Sequence, residues 1–133
     1  MDAKIDLDLA AEQIAARSAS WEARGLHVGQ LTWRDQSRRW RHQVVTGRAQ
    51  AAEPDSVGVK VTCGDEEGQV VLYLGGWADI EWGGKGATDF VDEVAGDYDA
   101  PLTLGDFGSV LDGFGARFRG KSPERPTSGE PGK

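Results

Sequence analysis

Two carboxylates, Asp79 and Glu81, stand two residues apart in the segment WADIEW at 77–82. The alternation of that segment predicts a strand, and strand geometry turns Trp77, Asp79 and Glu81 to one face and Ala78, Ile80 and Trp82 to the other. Paired carboxylates beside a tryptophan could serve a carbohydrate-acting hydrolase, which needs one protonated and one ionised carboxyl on either side of the scissile bond. A solvated strand face gives the same pattern. The remaining reactive side chains do not form a constellation. The sequence has one cysteine, Cys63, and two histidines, His27 and His42. An imidazole beside a thiol would make a nucleophile, but nothing in the sequence brings Cys63 to His42. Cys63 instead continues the apolar alternation of Val57, Val59 and Val61, a core position for a small apolar side chain.

Metal and phosphate chemistry fare no better. There is no CxxC or HxxxH spacing, so a zinc site is not expected. The acids Asp89, Asp92, Glu93, Asp97 and Asp99 are dense, but Pro101 stands where a calcium loop needs its third ligand. Gly84-Lys85-Gly86 lacks the spacing and the hydroxyl of a phosphate loop, and Gly113-x-Gly115 lies inside a helical pattern. The sequence therefore predicts no catalytic residue, no metal and no cofactor.

Charge and tryptophan carry more information. The chain has a net charge of −7 and five tryptophans in 133 residues. Residues 31–48 hold five arginines and one acid, whereas residues 49–112 hold fourteen acids and two lysines. The arginines Arg34, Arg38, Arg39, Arg41 and Arg48 interleave with Trp33 and Trp40, which could stack bases while arginines hold phosphates. The acidic field of the rest of the chain opposes that reading and attracts basic partners instead, and arginines beside a hairpin turn are also an ordinary way to solubilise a sheet edge. Trp77 among Asp79 and Glu81 has the composition of a protein-binding hot spot. Asp65, Glu66 and Glu67, in a loop between strands, extend the same acidic set. The structural alternative is that Trp77 packs beneath a helix and the acids only solubilise.

The elements that must position these residues follow from periodicity. Asp6 or Asp8 caps a first helix over residues 7–24, with Leu7, Ile14 and Trp21 on one stripe and Gly25 as its stop. Residues 30–34 and 39–44 alternate as a hairpin about the turn Asp35-Gln36-Ser37. Residues 49–56 read as a loop, 57–63 as a third strand, and 64–68 as a hairpin loop. Residues 69–74 are apolar on both faces, as suits a strand covered on both sides. WADIEW is the fifth strand. Thr88 or Asp89 then opens a short helix to Ala95, with Phe90, Val91 and Val94 as its apolar residues and Gly96 as its end. Thr103 caps the last helix, with Asp106 completing a capping box. Phe107, Val110, Leu111, Phe114 and Phe118 recur at helical spacing through residues 104–118. Gly105, Gly108, Gly113 and Gly115 weaken that helix and could permit close approach to a sheet. The fold class is α+β: an antiparallel sheet of about five strands flanked by an N-terminal helix and two C-terminal helices.

Residues 1–119 form one domain, and residues 120–133, GKSPERPTSGEPGK, read as a disordered tail because they have no apolar side chain but proline to bury. No apolar run approaches the roughly 20 residues of a membrane span. The acidic N-terminus does not resemble a signal peptide, and a lone cysteine suits a reducing compartment, so the expectation is cytoplasmic.

The helix–sheet–helix order and the segment LYLGGWADIEW at 72–82 resemble small acidic bacterial immunity proteins of polymorphic toxin systems. The resemblance implies a cytoplasmic protein that binds and blocks a basic toxin domain without catalysis of its own. It carries over onto Trp77, Asp79 and Glu81 as residue types at matching strand positions.

Overall fold

A computed structural model of the chain describes residues 5–37, 43–84, 91–97 and 99–118. Helix α1 (Leu7–Ala23) is followed by strands β1 (His27–Val28), β2 (Thr32–Asp35), β3 (Gln43–Val45), β4 (Pro54–Cys63), β5 (Glu66–Tyr73), β6 (Trp77–Gly84) and β7 (Val91–Ala95), and by helix α2 (Leu104–Ala116). A single 3-10 turn, Arg48–Gln50, precedes β4. The fold is α+β, with every strand pairing antiparallel.

The helices begin and end where local chemistry says they should. The Asp6 carboxylate accepts from the Asp8 and Leu9 N–H groups at 3.0 and 3.1 Å. Thr103 and Asp106 form the reciprocal capping box, with bonds of 3.0 and 3.1 Å. After α1, Gly25 takes a φ of 90°, a conformation open to glycine at little cost and the reason the chain can leave the helix there.

The sheet runs β3-β2-β4-β5-β6-β7, and β1 pairs with the far end of β4. β1 and β2 thus act as one interrupted strand along β4, bridged by Gly29 N–H to Lys60 O at 2.8 Å. Register sorts the side chains into two faces. Trp33, Val57, Leu72 and Ala78 stand in one cross-strand row, Val59, Val70 and Ile80 in the next, and Val61, Gly68 and Trp82 in a third. Leu7, Ala10, Ile14 and Trp21 of α1 and Phe107, Leu111 and Phe114 of α2 are buried with these residues in one core. Each of the larger side chains contributes about 1.5–3 kcal/mol by leaving water. Gly68 leaves room on this face for the Phe114 ring, since a Cβ there would stand 2.7 Å from it.

Several expectations need correction. Val91–Ala95 is a strand paired with β6, not the second half of a short helix. Its Val91 and Val94 mimic helical spacing, but backbone pairing to the exposed edge of β6 decides the conformation. Among the described residues one C-terminal helix is present rather than two, and the sheet has seven strands rather than about five. The loop over residues 49–56 is shorter, because β4 already begins at Pro54, and Glu66–Gly68 belong to β5 rather than to the hairpin loop. Asp35 ends β2 and is buried, accepting from the Ser37 and Glu53 N–H groups at 2.9 and 3.1 Å. Two glycines of α2 serve the other helix rather than the sheet: Gly108 faces Gln13 and Arg17, and Gly115 faces the Trp21 ring. Residues 38–42, with Trp40 and His42, the segment 85–90 and the proposed tail at 120–133 lie outside the described residues.

Candidate functional site: the helix-free face of the sheet

Among the described residues both helices lie on one side, and the opposite face of the sheet carries no helix. Register places Arg34, Ser56, Tyr73 and Trp77 in one row across that face. Thr32, Gly58, Val71, Asp79 and Val94 form the second, and Lys60, Gln69, Glu81 and Asp92 the third. Thr62, Glu67 and Gly83 form the last.

The first row is a built structure. Asp55 grips Arg34 with two parallel bonds, Nε–Oδ1 at 2.8 Å and Nη2–Oδ2 at 2.7 Å, the bidentate geometry that makes such pairs strong. The hydrogen bond to Asp55 holds Arg34 even more firmly charged than usual. The Arg34 guanidinium lies over the Tyr73 ring, 5.6 Å from its centroid. Tyr73 stacks in turn on Trp77, with centroids 5.7 Å apart and planes 24° from parallel. Trp77 folds its ring back over Gly75, where a Cβ would have no room. Burial, and then the nearby Asp79 carboxylate, push the Tyr73 phenol above the usual tyrosine range.

The third and fourth rows are acidic. Lys60, Glu67, Gly68, Gln69 and Glu81 line a shallow depression of about 270 Å³. Asp92 stands beside Glu81 on β7, and Val94, 63% exposed, beside Asp79. Among the described residues the face therefore carries Glu67, Asp79, Glu81 and Asp92 on β5–β7 against Lys60 on β4, while Arg34 at its other side is bound to Asp55.

Of the sequence-predicted site residues, Trp77, Asp79, Glu81 and Glu67 come together on this face. Asp65 sits exposed at the tip of the β4–β5 turn. Glu66 pairs with Cys63 and Gly84, in register with the helix-side rows, so the sheet separates it from Trp77. Trp77 is neither buried under a helix nor free in solvent; it is half-buried on the helix-free face, held by Tyr73. Tyr73 escapes the sequence reading because residues 69–74 look apolar on both faces. The alternation Gln69, Val71, Tyr73 carries the signal, since those three share the face opposite Val70 and Leu72.

The competing chemistries gain little from this geometry. Glu81 lines the depression with Lys60, whereas Asp79 stands beside Tyr73 and is not among the residues lining that depression. In the arginine-rich segment, Arg34 is occupied by Asp55, and Arg48 by Asp8 at 2.7 Å and the Ala51 carbonyl at 2.9 Å. Trp33, which would have to stack a base, is in the core at 3% exposure. Cys63 is half-buried against the core, as a structural cysteine would be. Among the described residues no three His, Cys, Asp or Glu side chains converge as metal ligands, and no helix is long and apolar enough to cross a membrane. No protein-family model, curated protein or solved structure matches this chain.

Proposed function

We propose that this chain is a non-catalytic binding module that covers a basic protein with the helix-free face of its sheet. The partner that fits best is a toxin domain, and the chain then acts as a bacterial immunity protein in the cytoplasm. The observation that carries this reading is the juxtaposition of the Tyr73–Trp77 stack with Asp79, Glu81, Glu67 and Asp92 on one face. A rigid aromatic pair supplies contact area with little ordering cost, and a surrounding acidic field draws a basic surface in. Toxins that attack nucleic acid are basic because they hold phosphates, so an acidic face can occupy the same ground.

A pull-down from the native host with the full chain tests this. A basic protein should be captured stoichiometrically, and capture should be lost with Trp77→Ala, Asp79→Asn and Glu81→Gln combined. Undiminished capture by that triple variant would show that the face is not the site. Capture of a neutral or acidic protein would remove the electrostatic basis of the reading.

A further inference from the structure

The core-side edge of the sheet holds a second arrangement of aromatic ring, acids and cation. The Arg117 guanidinium carbon stands 3.5 Å from the centroid of the Trp82 ring. The same guanidinium bonds Glu93 Oε1 through Nη2 at 3.1 Å. Beside this stack is a cleft of about 190 Å³, walled by Glu66, Glu67, Trp82, Gly83, Gly84 and Phe118 in addition to Arg117. Ring face, carboxylate partner and acidic rim are the elements that recognise a guanidinium: the ring quadrupole attracts the cation and the carboxylate fixes the fork.

We infer that this cleft is a seat for an arginine side chain of the basic partner, with Arg117 as its resident occupant. The inference rests on the reading of the chain as a binder of a basic protein and names the side chain it takes. Three observations carry it. First, Arg117 is held by exposed groups: its side chain is 35% and that of Glu93 49% exposed. An ion pair so placed contributes little to stability and can be exchanged. Second, the cleft has open volume next to the stacked arginine, so an incoming guanidinium can reach the Trp82 ring and the carboxylates as Arg117 swings out. Third, Glu67 lines both this cleft and the depression with Lys60 and Glu81 on the helix-free face. One basic segment passing over the end of β5 would therefore meet both. Lysine would be a poorer ligand, because its ammonium cannot stack flat on indole or present a fork to a carboxylate.

The test uses the full-length protein and two labelled peptides, nona-arginine and nona-lysine, with binding followed by fluorescence anisotropy. The wild-type chain should prefer the arginine peptide, and Trp82→Leu should abolish the preference. Arg117→Ala should tighten the arginine peptide by about three- to tenfold, the size of a cation–π contact released for the ligand, and change the lysine peptide much less. Should Trp82→Leu not fold, the comparison of Arg117→Ala with Arg117→Lys decides, since the lysine variant keeps the charge and gives up the flat stack. Weaker or unchanged arginine binding by Arg117→Ala, at an unchanged urea midpoint, overturns the inference and leaves Arg117 a clamp between α2 and β7. Equal binding of both peptides that depends on Asp79 and Glu81 overturns the seat while supporting the acidic face. Binding of neither peptide overturns the seat, and capture of the native partner then judges the face separately.

Discussion

The Tyr73 ring lies nearly parallel to the Trp77 ring, 24° from coplanar with centroids 5.7 Å apart, although the two residues sit on neighbouring strands joined by a turn. Being directly opposite in the β5–β6 register, they form a cross-strand aromatic pair, the kind that holds a sheet face rigid at a cost of few side-chain degrees of freedom. Trp77→Ala removes that pair. Stability should fall by only about 0.5–1.5 kcal/mol, because the ring is half-buried outside the core. Affinity for the captured partner should fall by about 2 kcal/mol or more, as for a hot-spot tryptophan. Urea unfolding and calorimetric titration of the same variant separate the two effects. A large stability loss with unchanged affinity would make Trp77 a structural residue.

Tyr73 offers a spectroscopic handle on the same row. Burial and the neighbouring Asp79 carboxylate both favour the neutral phenol. In a Tyr98→Phe background Tyr73 is the one remaining tyrosine, so alkaline titration of tyrosinate absorbance reports it alone. Asp79→Asn should move its titration down toward the ordinary tyrosine range. The linkage has a definite sign: the folded state retains the phenol proton longer than the unfolded state. Stability from this group is therefore full below the ordinary phenol pKa and declines as pH rises through it. Asp79→Asn should flatten that alkaline decline.

Asp35 gives the acid-side counterpart. Backbone N–H bonds from Ser37 and Glu53 hold its carboxyl down to about 2. Its pKa is lowered on folding, so its contribution is present above the unfolded value of about 4 and is lost as pH falls toward about 2. Urea midpoints measured between those pH values should drop for the wild type. Asp35→Asn should be less stable at neutral pH and show a shallower drop. Equal slopes for the two proteins would remove Asp35 from the acid transition.

Much of the frame is legible in the chain because it is local. The caps at Asp6 and Thr103, the stop at Gly25 and the stripe Phe107, Leu111, Phe114 depend on neighbours three or four residues away, and period-2 alternation alone puts Trp77, Asp79 and Glu81 on one face. What the sequence does not show depends on distant partners. Val91–Ala95 has helical spacing in its valines, yet it pairs with β6, and Val94 ends up 63% exposed. No local rule could place Tyr73 against Trp77, or Arg117 on Trp82, since both contacts require the sheet register or the docking angle of α2. Residue types place the acids of this face together, whereas the aromatic stack beside them is visible only in three dimensions.

Two glycines two residues apart in α2 should respond in opposite directions to the same change. A Cβ on Gly113 would meet nothing within 4 Å, whereas a Cβ on Gly115 would collide with the Trp21 indole, itself buried at 4% exposure. Gly113→Ala should stabilise the protein by about 0.5–1 kcal/mol, the helix-propensity difference. Gly115→Ala gains the same propensity but must displace a packed ring against Phe114, an overpacking cost of about 1–3 kcal/mol. Its net effect should be destabilising. Chemical denaturation of the two single variants checks this. Similar stabilisation by both would mean that α1 and α2 are not in close contact at Trp21.

The acids and the tryptophan of the helix-free face should act on different steps of binding. Glu81 and Asp92 are exposed at the face's acidic side, where their charges attract a basic partner before contact. Glu81→Gln with Asp92→Asn should therefore slow association with the captured partner, and should flatten its dependence on salt, while leaving dissociation nearly unchanged. Trp77 contributes only after contact, by burying its ring, so Trp77→Ala should speed dissociation at an almost unaltered association rate. Surface plasmon resonance at two ionic strengths resolves the four rate changes. If the acid variant alters dissociation and spares association, those carboxylates make direct contacts with the partner, and the steering role assigned to them is wrong. If association of the wild-type chain is insensitive to salt, the acidic field plays no part in finding the partner, and the aromatic stack must carry recognition without it.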